Sequence, residues 1–204
     1  MMHALPHPLL ALASLAIPLR PSPDQAEEQA LIARARQGGA DGRRAARELI
    51  ETHQAWLVNL LAALLGNDAD GEEVAQEVLV KAMLALETYR GEARLRTWLR
   101  RIAVNEAYNS RRRTREYLSR DGMLAEVGLV DGPAAAVESR QLLLVSLSAL
   151  SYSDREILVL RYVEDLDLAT IGEQLDIGTA AAKMRLMRAR RAFAEAHDAA
   201  LEAP

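Results

Sequence analysis

The chain has 204 residues, a length that allows one medium-sized domain or two small ones. Aromatic residues make up only 4% of it, and Ala, Leu, Arg and Glu dominate, so the composition favours an all-helical protein. It contains no cysteine, which excludes disulfides, thiolate metal sites and cysteine nucleophiles and fits a reducing compartment. The formal net charge of −4 does not by itself indicate a nucleic-acid-binding protein.

Charge is distributed unevenly along the chain. Residues 94–120 carry nine arginines, and residues 183–191 carry five basic residues and no acidic one. Residues 68–77 carry five acidic residues and no basic one. A chain divided in this way can contact DNA with one surface and a basic protein with another.

The first 23 residues differ in character from the rest. An apolar run from Leu9 to Ile17 lies between prolines. The run is shorter than the roughly 20 residues that a membrane-spanning helix needs, and no basic residue precedes it as in a signal peptide. We therefore expect a disordered extension here, and no stable membrane insertion by the chain itself.

Four helices are predicted next, from the spacing of apolar residues and from capping residues. The first ends at Gly38, and the second begins at Asp41 and ends at Gly66. The third begins at one of the two aspartates just beyond that glycine, and the fourth begins near Leu95 and continues into the arginine cluster.

A change of composition divides the rest of the chain. Residues 116–135 lose helical periodicity and contain glycines and a proline, which is typical of a linker. Four shorter helices follow, and the Asp176-Ile177-Gly178 turn between the last two is typical of a helix-turn-helix. We predict an all-α fold of two small helical domains joined by a flexible linker, with the helix-turn-helix in the C-terminal one. The predicted parts are the extension 1–23, the first domain 24–115, the linker 116–135, the second domain 136–197 and the tail 198–204.

The fourth helix has a polar face of unusual composition. At 100° per residue, one third of its circumference carries two amides, two arginines and one aromatic ring: Arg101, Asn105, Tyr108, Asn109 and Arg112. Amides can read base edges, arginines can hold phosphates, and rings can stack on unpaired bases. A solvated basic helix with core aromatics would show the same spacing, so spacing alone leaves both interpretations open.

The segment from Tyr89 to Asn109 contains a Gly-bearing loop, then Thr-Trp-Leu at 97–99 and Ile-Ala-Val-Asn at 102–105. It resembles the promoter-melting segment of extracytoplasmic-function (ECF) sigma factors. The resemblance implies that the loop receives a flipped base of the −10 element and that the helix contacts the unpaired strand. The residues expected to contact the −10 region are Arg90, Arg96, Arg101, Asn105, Tyr108, Asn109 and Arg112.

The acidic segment from Asp68 to Ala82 also matches the family. Alone, it is an ordinary acidic start of a helix, favoured by the helix dipole. It is similar to the family's helix that binds the clamp coiled coil of core RNA polymerase. The resemblance implies core-polymerase contacts at Asp70, Glu73, Gln76 and Glu77, and Gly71 is an unusual residue inside such a helix.

The block from Leu147 to Phe193 resembles the family's second conserved domain, whose last helix enters the major groove at the −35 element. The expected −35 contacts are Thr179, Ala181, Lys183, Arg185, Arg188 and Arg190. The family usually has Gly-Thr-Val before the lysine and a serine after it, whereas this chain has three alanines and Met184. We therefore expect weak −35 binding or an unusual sequence preference.

The resemblance implies a cytoplasmic sigma factor that directs core RNA polymerase to promoters, contacts its clamp and flap, and is silenced by an anti-sigma protein. Two alternatives remain: a one-component helix-turn-helix regulator with a sensor domain at 24–115, and a sigma-like polymerase-binding protein without promoter recognition. No catalytic residue, cofactor or metal site is expected. The two histidines with metal-ligand spacing, His3 and His7, fall in the extension, and no phosphate-binding loop is present.

Overall fold

The computed structural model describes residue 9 and residues 11–15, 25–121 and 134–202, and it contains no strand within those ranges. The N-terminal turn, Leu12–Leu15, is a single 3-10 turn. The eight α-helices of the described ranges are α1 (Gln25–Gln37), α2 (Gly39–Leu65), α3 (Asp68–Ala85), α4 (Leu95–Asp121), α5 (Ala134–Ser148), α6 (Tyr152–Leu158), α7 (Leu168–Gln174) and α8 (Thr179–Glu202). A 3-10 turn, Leu86–Thr88, follows α3, and a π-helical turn, Val159–Val163, continues α6.

Helices α1 to α4 pack together as a first bundle around the long helix α2. Fully buried leucines of α2 meet Val74 and Val78 of α3 and Leu99 and Ala103 of α4. The unusual Gly71 lies where α3 crosses α2: a Cβ there would be 2.6 Å from the backbone nitrogen of Ala62. The glycine is therefore required by the close approach of two helices, rather than by the start of α3.

Helices α5 to α8 form a second bundle, in which α8 packs against the other three. Its core includes Leu147, Ile157, Ile171 and Phe193, all of them fully buried. A tight turn joins α7 to α8, closed by the bond from the Ile177 nitrogen to the Gly172 oxygen at 2.9 Å. The all-α fold and the helix-turn-helix expected from the sequence are thereby confirmed.

The two bundles pack against each other through α2, which contacts α5, α6 and the π-helical turn. Arg155 of α6 donates to the Leu64 carbonyl at 3.1 Å, and the Tyr152 hydroxyl donates to the Val104 carbonyl at 3.2 Å. The predicted linker 116–135 begins inside α4 and ends inside α5, and residues 122–133 lie outside the described ranges.

Part of the predicted disordered extension is packed against the bundles. Leu9, Leu12 and Leu15 are buried to within 2% of full burial. The N-terminal turn contacts the π-helical turn of the second bundle and α2 of the first. These six described residues therefore differ from the expectation, because the apolar run finds apolar partners where the bundles meet. The other extension residues lie outside the described ranges.

Candidate nucleic-acid and polymerase interfaces

Helix α4 separates an apolar inner face from the predicted −10 face. Leu95, Leu99, Ala103 and Ala107 are buried against the bundle. The outward side carries the predicted group: Arg101, Asn105, Tyr108 and Arg112 are exposed, and Asn109 is half-buried. Tyr108 leaves 58% of its surface exposed although it is aromatic. The structure thus brings five predicted −10 residues together on one accessible face.

Helix α1 holds the loop before α4 in place through hydrogen bonds. The guanidinium of Arg36 donates to the carbonyl oxygens of Leu86 and Tyr89. The Tyr89 ring is buried, and it lies 5.3 Å from the Trp98 ring between centroids. Arg90 stays exposed on the loop, as a base-receiving role would require. Trp98 is a packing residue of this loop rather than an exposed contact.

Arg96 is the exception among the predicted −10 residues. Its guanidinium lies 3.0 Å from Glu164 of the second bundle and 4.6 Å above the Trp56 ring. The buried Glu164 carboxylate also accepts from Arg100 at 3.0 Å and from the Trp56 indole nitrogen at 2.7 Å. This four-residue group is the interbundle cluster. Sequence reasoning missed Glu164, because nothing local marks a carboxylate whose partners lie more than sixty residues away.

Helix α3 displays the predicted polymerase-binding group on its outer side. Glu73 and Gln76 are exposed, and Glu77 forms an ion pair with Arg113 at 3.1 Å. Asp70 has a local role as well, because its backbone nitrogen donates to the Asn67 side chain that caps α3. Two residues that the sequence analysis missed extend this face. Val80 and Leu84 are 60% and 79% exposed, and their spacing from Gln76 was the available signal.

Helix α8 presents only part of the predicted −35 group. Thr179, Ala181, Lys183 and Arg188 are exposed. Arg185 instead forms an ion pair with Glu156 at 2.7 Å and donates to the Ser153 carbonyl. Burial raises the pKa of Glu156, and the hydrogen bond from Arg185 opposes that rise.

Arg190 is also directed inward, with its guanidinium 5.6 Å from the Tyr162 ring centroid. Two exposed methionines, Met184 and Met187, take the central positions of the outward face. The DNA-binding roles of Arg185 and Arg190 stay predictions, and the structure gives each of them a packing contact.

The described residues include no helix that has both the length and the hydropathy needed to cross a membrane. Within the same ranges, no three His, Asp or Glu side chains are grouped so that they could hold a metal ion.

Two family models match the two bundles in order. Sigma-70 region 2 matches residues 49–117, and Sigma-70 region 4 matches residues 140–193. The ECF RNA polymerase sigma-E factor of Haemophilus influenzae is 29% identical over 180 residues, which cover 82% of this chain and 93% of that one. The ECF RNA polymerase sigma factor SigW of Bacillus subtilis is 28% identical over 159 residues, covering 72% and 85%.

Two solved structures share the fold. The sigma factor RpoE, in complex with the anti-sigma factor NepR from Bartonella quintana, has a TM-score of 0.63 and 22% identity, covering 74% of this chain and 94% of that one. CnrH, in complex with the cytosolic domain of CnrY, has a TM-score of 0.59 and 24% identity, covering 86% and 99%. With both conserved regions matched and present as helical bundles, the chain belongs to the sigma-70 family as an ECF RNA polymerase sigma factor, a regulatory protein of transcription initiation.

Proposed function

We propose that the two bundles divide the work of a sigma factor. The first bundle, within residues 24–115, binds core polymerase through the outer side of α3 and opens the −10 region with α4. The second, within 136–197, binds the −35 duplex through α8. The outward face of α4 carries this proposal, because the exposed Arg101 and Asn105 and the largely exposed Tyr108 ring offer a cation, an amide and a ring face that suit an unpaired strand.

The polymerase-binding face extends the acidic group predicted from sequence. Glu73, Gln76, Val80 and Leu84 recur at spacings of three and four, so they form one stripe along α3. Acidic residues at one end and exposed apolar residues at the other suit a basic, partly apolar helical partner. This composition agrees with the clamp coiled coil that the family resemblance implies, and the flap is the expected partner of the second bundle.

Binding to polymerase and opening of the promoter should be separable. Leu84→Glu should abolish co-purification with core polymerase, because it places a charge in the apolar end of the stripe. Asn105→Ala should leave that binding intact and lower run-off transcription. Glu51→Ala, at an exposed position of α2, is the control. If Leu84→Glu bound core polymerase as well as the control did, the assigned face would be wrong.

Regulation by an anti-sigma protein is part of the proposal. The RpoE structure was solved with the anti-sigma factor NepR, and CnrH with the cytosolic domain of CnrY. A chain of the same fold that exposes both apolar and charged helix faces offers comparable surfaces. The protein would act in the cytoplasm, where polymerase and promoters are, and would supply no catalysis of its own. Full activity of the protein purified from its own cells, with no bound partner, would contradict this regulation.

A further inference from the structure

The outward face of α8 has an apolar stripe at its centre. At 100° per residue, Ala180, Met184 and Met187 lie within about 60° of one another, and Arg191 follows them at the end of the stripe. Met184 and Met187 are 55% and 57% exposed. The opposite side of α8 carries the buried core residues. The two methionines are therefore not needed to pack the bundle.

Cationic side chains flank this stripe. Lys183 lies to one side of it and Arg188 to the other, and both are exposed. Two rows of phosphates border a major groove in the same way, so the charges of the face complement DNA. Ala180, Met184 and Met187 would then point at the base edges, where they offer no hydrogen-bonding group for guanine or cytosine. Arg191, further along the helix, forms an ion pair with Glu195 at 3.0 Å.

Thymine is the base that presents a methyl group in the major groove. We propose that Met184 and Met187 read thymine methyl groups in the −35 element while Lys183 and Arg188 hold the phosphates on either side. The inference rests on the proposed function of α8 and adds the base that it selects. It also explains how a recognition helix with three alanines and a methionine at its start can still be selective.

The test uses holoenzyme reconstituted from core polymerase and the full chain, on a promoter identified by run-off transcription. Each thymine of the −35 element is replaced in turn by deoxyuridine, which removes only the methyl group. Loss of one buried methyl contact should weaken binding about fourfold. Met184→Ala should weaken binding to thymine DNA and remove the effect of deoxyuridine at one position, and Met187→Ala at another. Leu201→Ala, exposed near the end of the same helix, is the matched control.

The outcomes separate the inference from the function on which it rests. If no deoxyuridine changed binding, or if Met184→Ala weakened binding to both DNAs equally, methyl reading would be wrong while promoter binding stood. If the holoenzyme produced no discrete transcript starts, the proposed function would fail and methyl reading with it.

A second inference concerns the packed state of the two bundles, and it rests on different residues. The interbundle cluster places a fully buried carboxylate, Glu164, against Arg96, Arg100 and Trp56. Leu9, Leu12 and Leu15 are buried, and the N-terminal turn that carries Leu12 and Leu15 contacts the π-helical turn of one bundle and α2 of the other. We call Leu9 and residues 11–15 the strap. Polar and apolar contacts thus stabilise the same arrangement.

This packed state cannot span a promoter. The −10 and −35 elements lie about 25 base pairs apart, which is on the order of 85 Å of duplex at 3.4 Å per base pair. A compact chain of this length has a radius of gyration of only about 17 Å. The bundles must therefore separate before each can occupy its element.

We infer that the strap is an intramolecular inhibitor that holds the bundles together until polymerase or promoter DNA separates them. The inference rests on the proposed division of work between the bundles. The inhibitor is a segment of this chain, because Leu12 and Leu15 are buried in a turn that contacts both bundles. Weakening the strap should increase the population of separated bundles and the promoter activity at limiting protein concentration.

The chain contains no cysteine, so two introduced cysteines can carry spin labels without background. Gln54→Cys on α2 and Asp198→Cys on α8 are exposed positions, one in each bundle. Leu12→Glu in the full chain should raise the fraction of long label-to-label distances about tenfold. Ala13→Glu, at the exposed neighbouring position of the strap, should not change it.

Glu164→Gln is the second variant, since it weakens the cluster without touching the strap, and it should shift the distances in the same direction. Identical short distances for Leu12→Glu and Ala13→Glu would overturn the strap. Longer distances without a rise in run-off transcription at limiting protein concentration would overturn its inhibitory role.

Discussion

Helices α4 and α8 are both long and basic, and each is the proposed DNA-contacting helix of its bundle, yet they use their residues differently. The outward face of α4 carries amides, arginines and a tyrosine, whereas the outward face of α8 carries two methionines flanked by cationic side chains. The first set suits bases whose hydrogen-bonding edges and ring faces are both accessible. The second suits an intact duplex, in which methyl groups lie in the groove.

The two helices also share one property, which is that arginines close in sequence have opposite roles. In α4, Arg100 binds buried Glu164 while its neighbour Arg101 is exposed. In α8, Arg185 binds Glu156 while Arg188 is exposed. A count of basic residues therefore overestimates the DNA-binding surface of each helix, and substitutions of adjacent arginines should have very different effects.

The largest expected effect is on stability, from Arg185→Ala. Removing one partner of a largely buried ion pair leaves Glu156 without its counter-charge, so the free energy of unfolding should fall by about 3 kcal/mol. Arg188→Ala, on the exposed side of the same helix, should change it by less than about 0.5 kcal/mol. Urea denaturation measures both variants. Equal stability of the two would contradict the inward role of Arg185.

The next effect is on promoter opening. Asn105→Ala removes a base-reading amide from α4 and should lower the rate of opening on the order of fivefold to tenfold, while affinity for core polymerase is unchanged. Thr114→Ala, exposed further along the same helix, is the control. Stopped-flow fluorescence of a base analogue in the −10 element follows opening directly. If Asn105→Ala lowered the affinity for core polymerase as much as the rate of promoter opening, Asn105 would not act specifically in opening.

A smaller effect distinguishes two arginines of α8 that sequence alone places in the −35 group. Arg188→Ala should weaken binding to all duplexes and lower the slope of log affinity against log salt by about 1, because one phosphate contact is lost. Arg190→Ala should leave that slope unchanged, because its guanidinium packs on Tyr162. Titrations at several salt concentrations test both. A reduced slope for Arg190→Ala would restore the sequence-based assignment.

The smallest expected effect is on the pH dependence of the free energy of unfolding. Burial raises the pKa of Glu28, but the His53 ring, whose Nε2 lies 3.6 Å from the carboxylate, and a hydrogen bond from the Leu95 backbone outweigh it, so the pKa is lowered overall. Glu28 therefore stabilises the first bundle above about pH 4.5, and this contribution is lost as pH falls through the lowered pKa. Glu156 in the second bundle has a raised pKa, so protonation as the pH falls relieves a cost of folding.

Denaturation between pH 3.5 and pH 6 distinguishes the two carboxylates. Glu28→Gln should make stability less sensitive to acid than in the wild type, and Glu156→Gln should make it more sensitive. The same pH dependence for both variants would show that the two carboxylates do not differ as described.

Local patterns in the sequence were sufficient to predict α1 to α4, the helix-turn-helix and the polar outward face of α4. Each of these depends on spacing within one helix or on one turn. The interbundle cluster could not be predicted, because Glu164 meets Arg96 and Arg100 only after both bundles have formed. The burial of Leu12 has the same origin, since an apolar run between prolines does not reveal its partner.

Run-off transcription with purified core polymerase on sheared DNA of the source genome, followed by sequencing of the transcript starts, tests the central claim most directly. We expect discrete starts that share two upstream elements, with thymine in the −35 element, and we expect Asn105→Ala to reduce them all. Binding to core polymerase without discrete starts would contradict promoter recognition. Failure to bind core polymerase would contradict the polymerase-binding role assigned to α3.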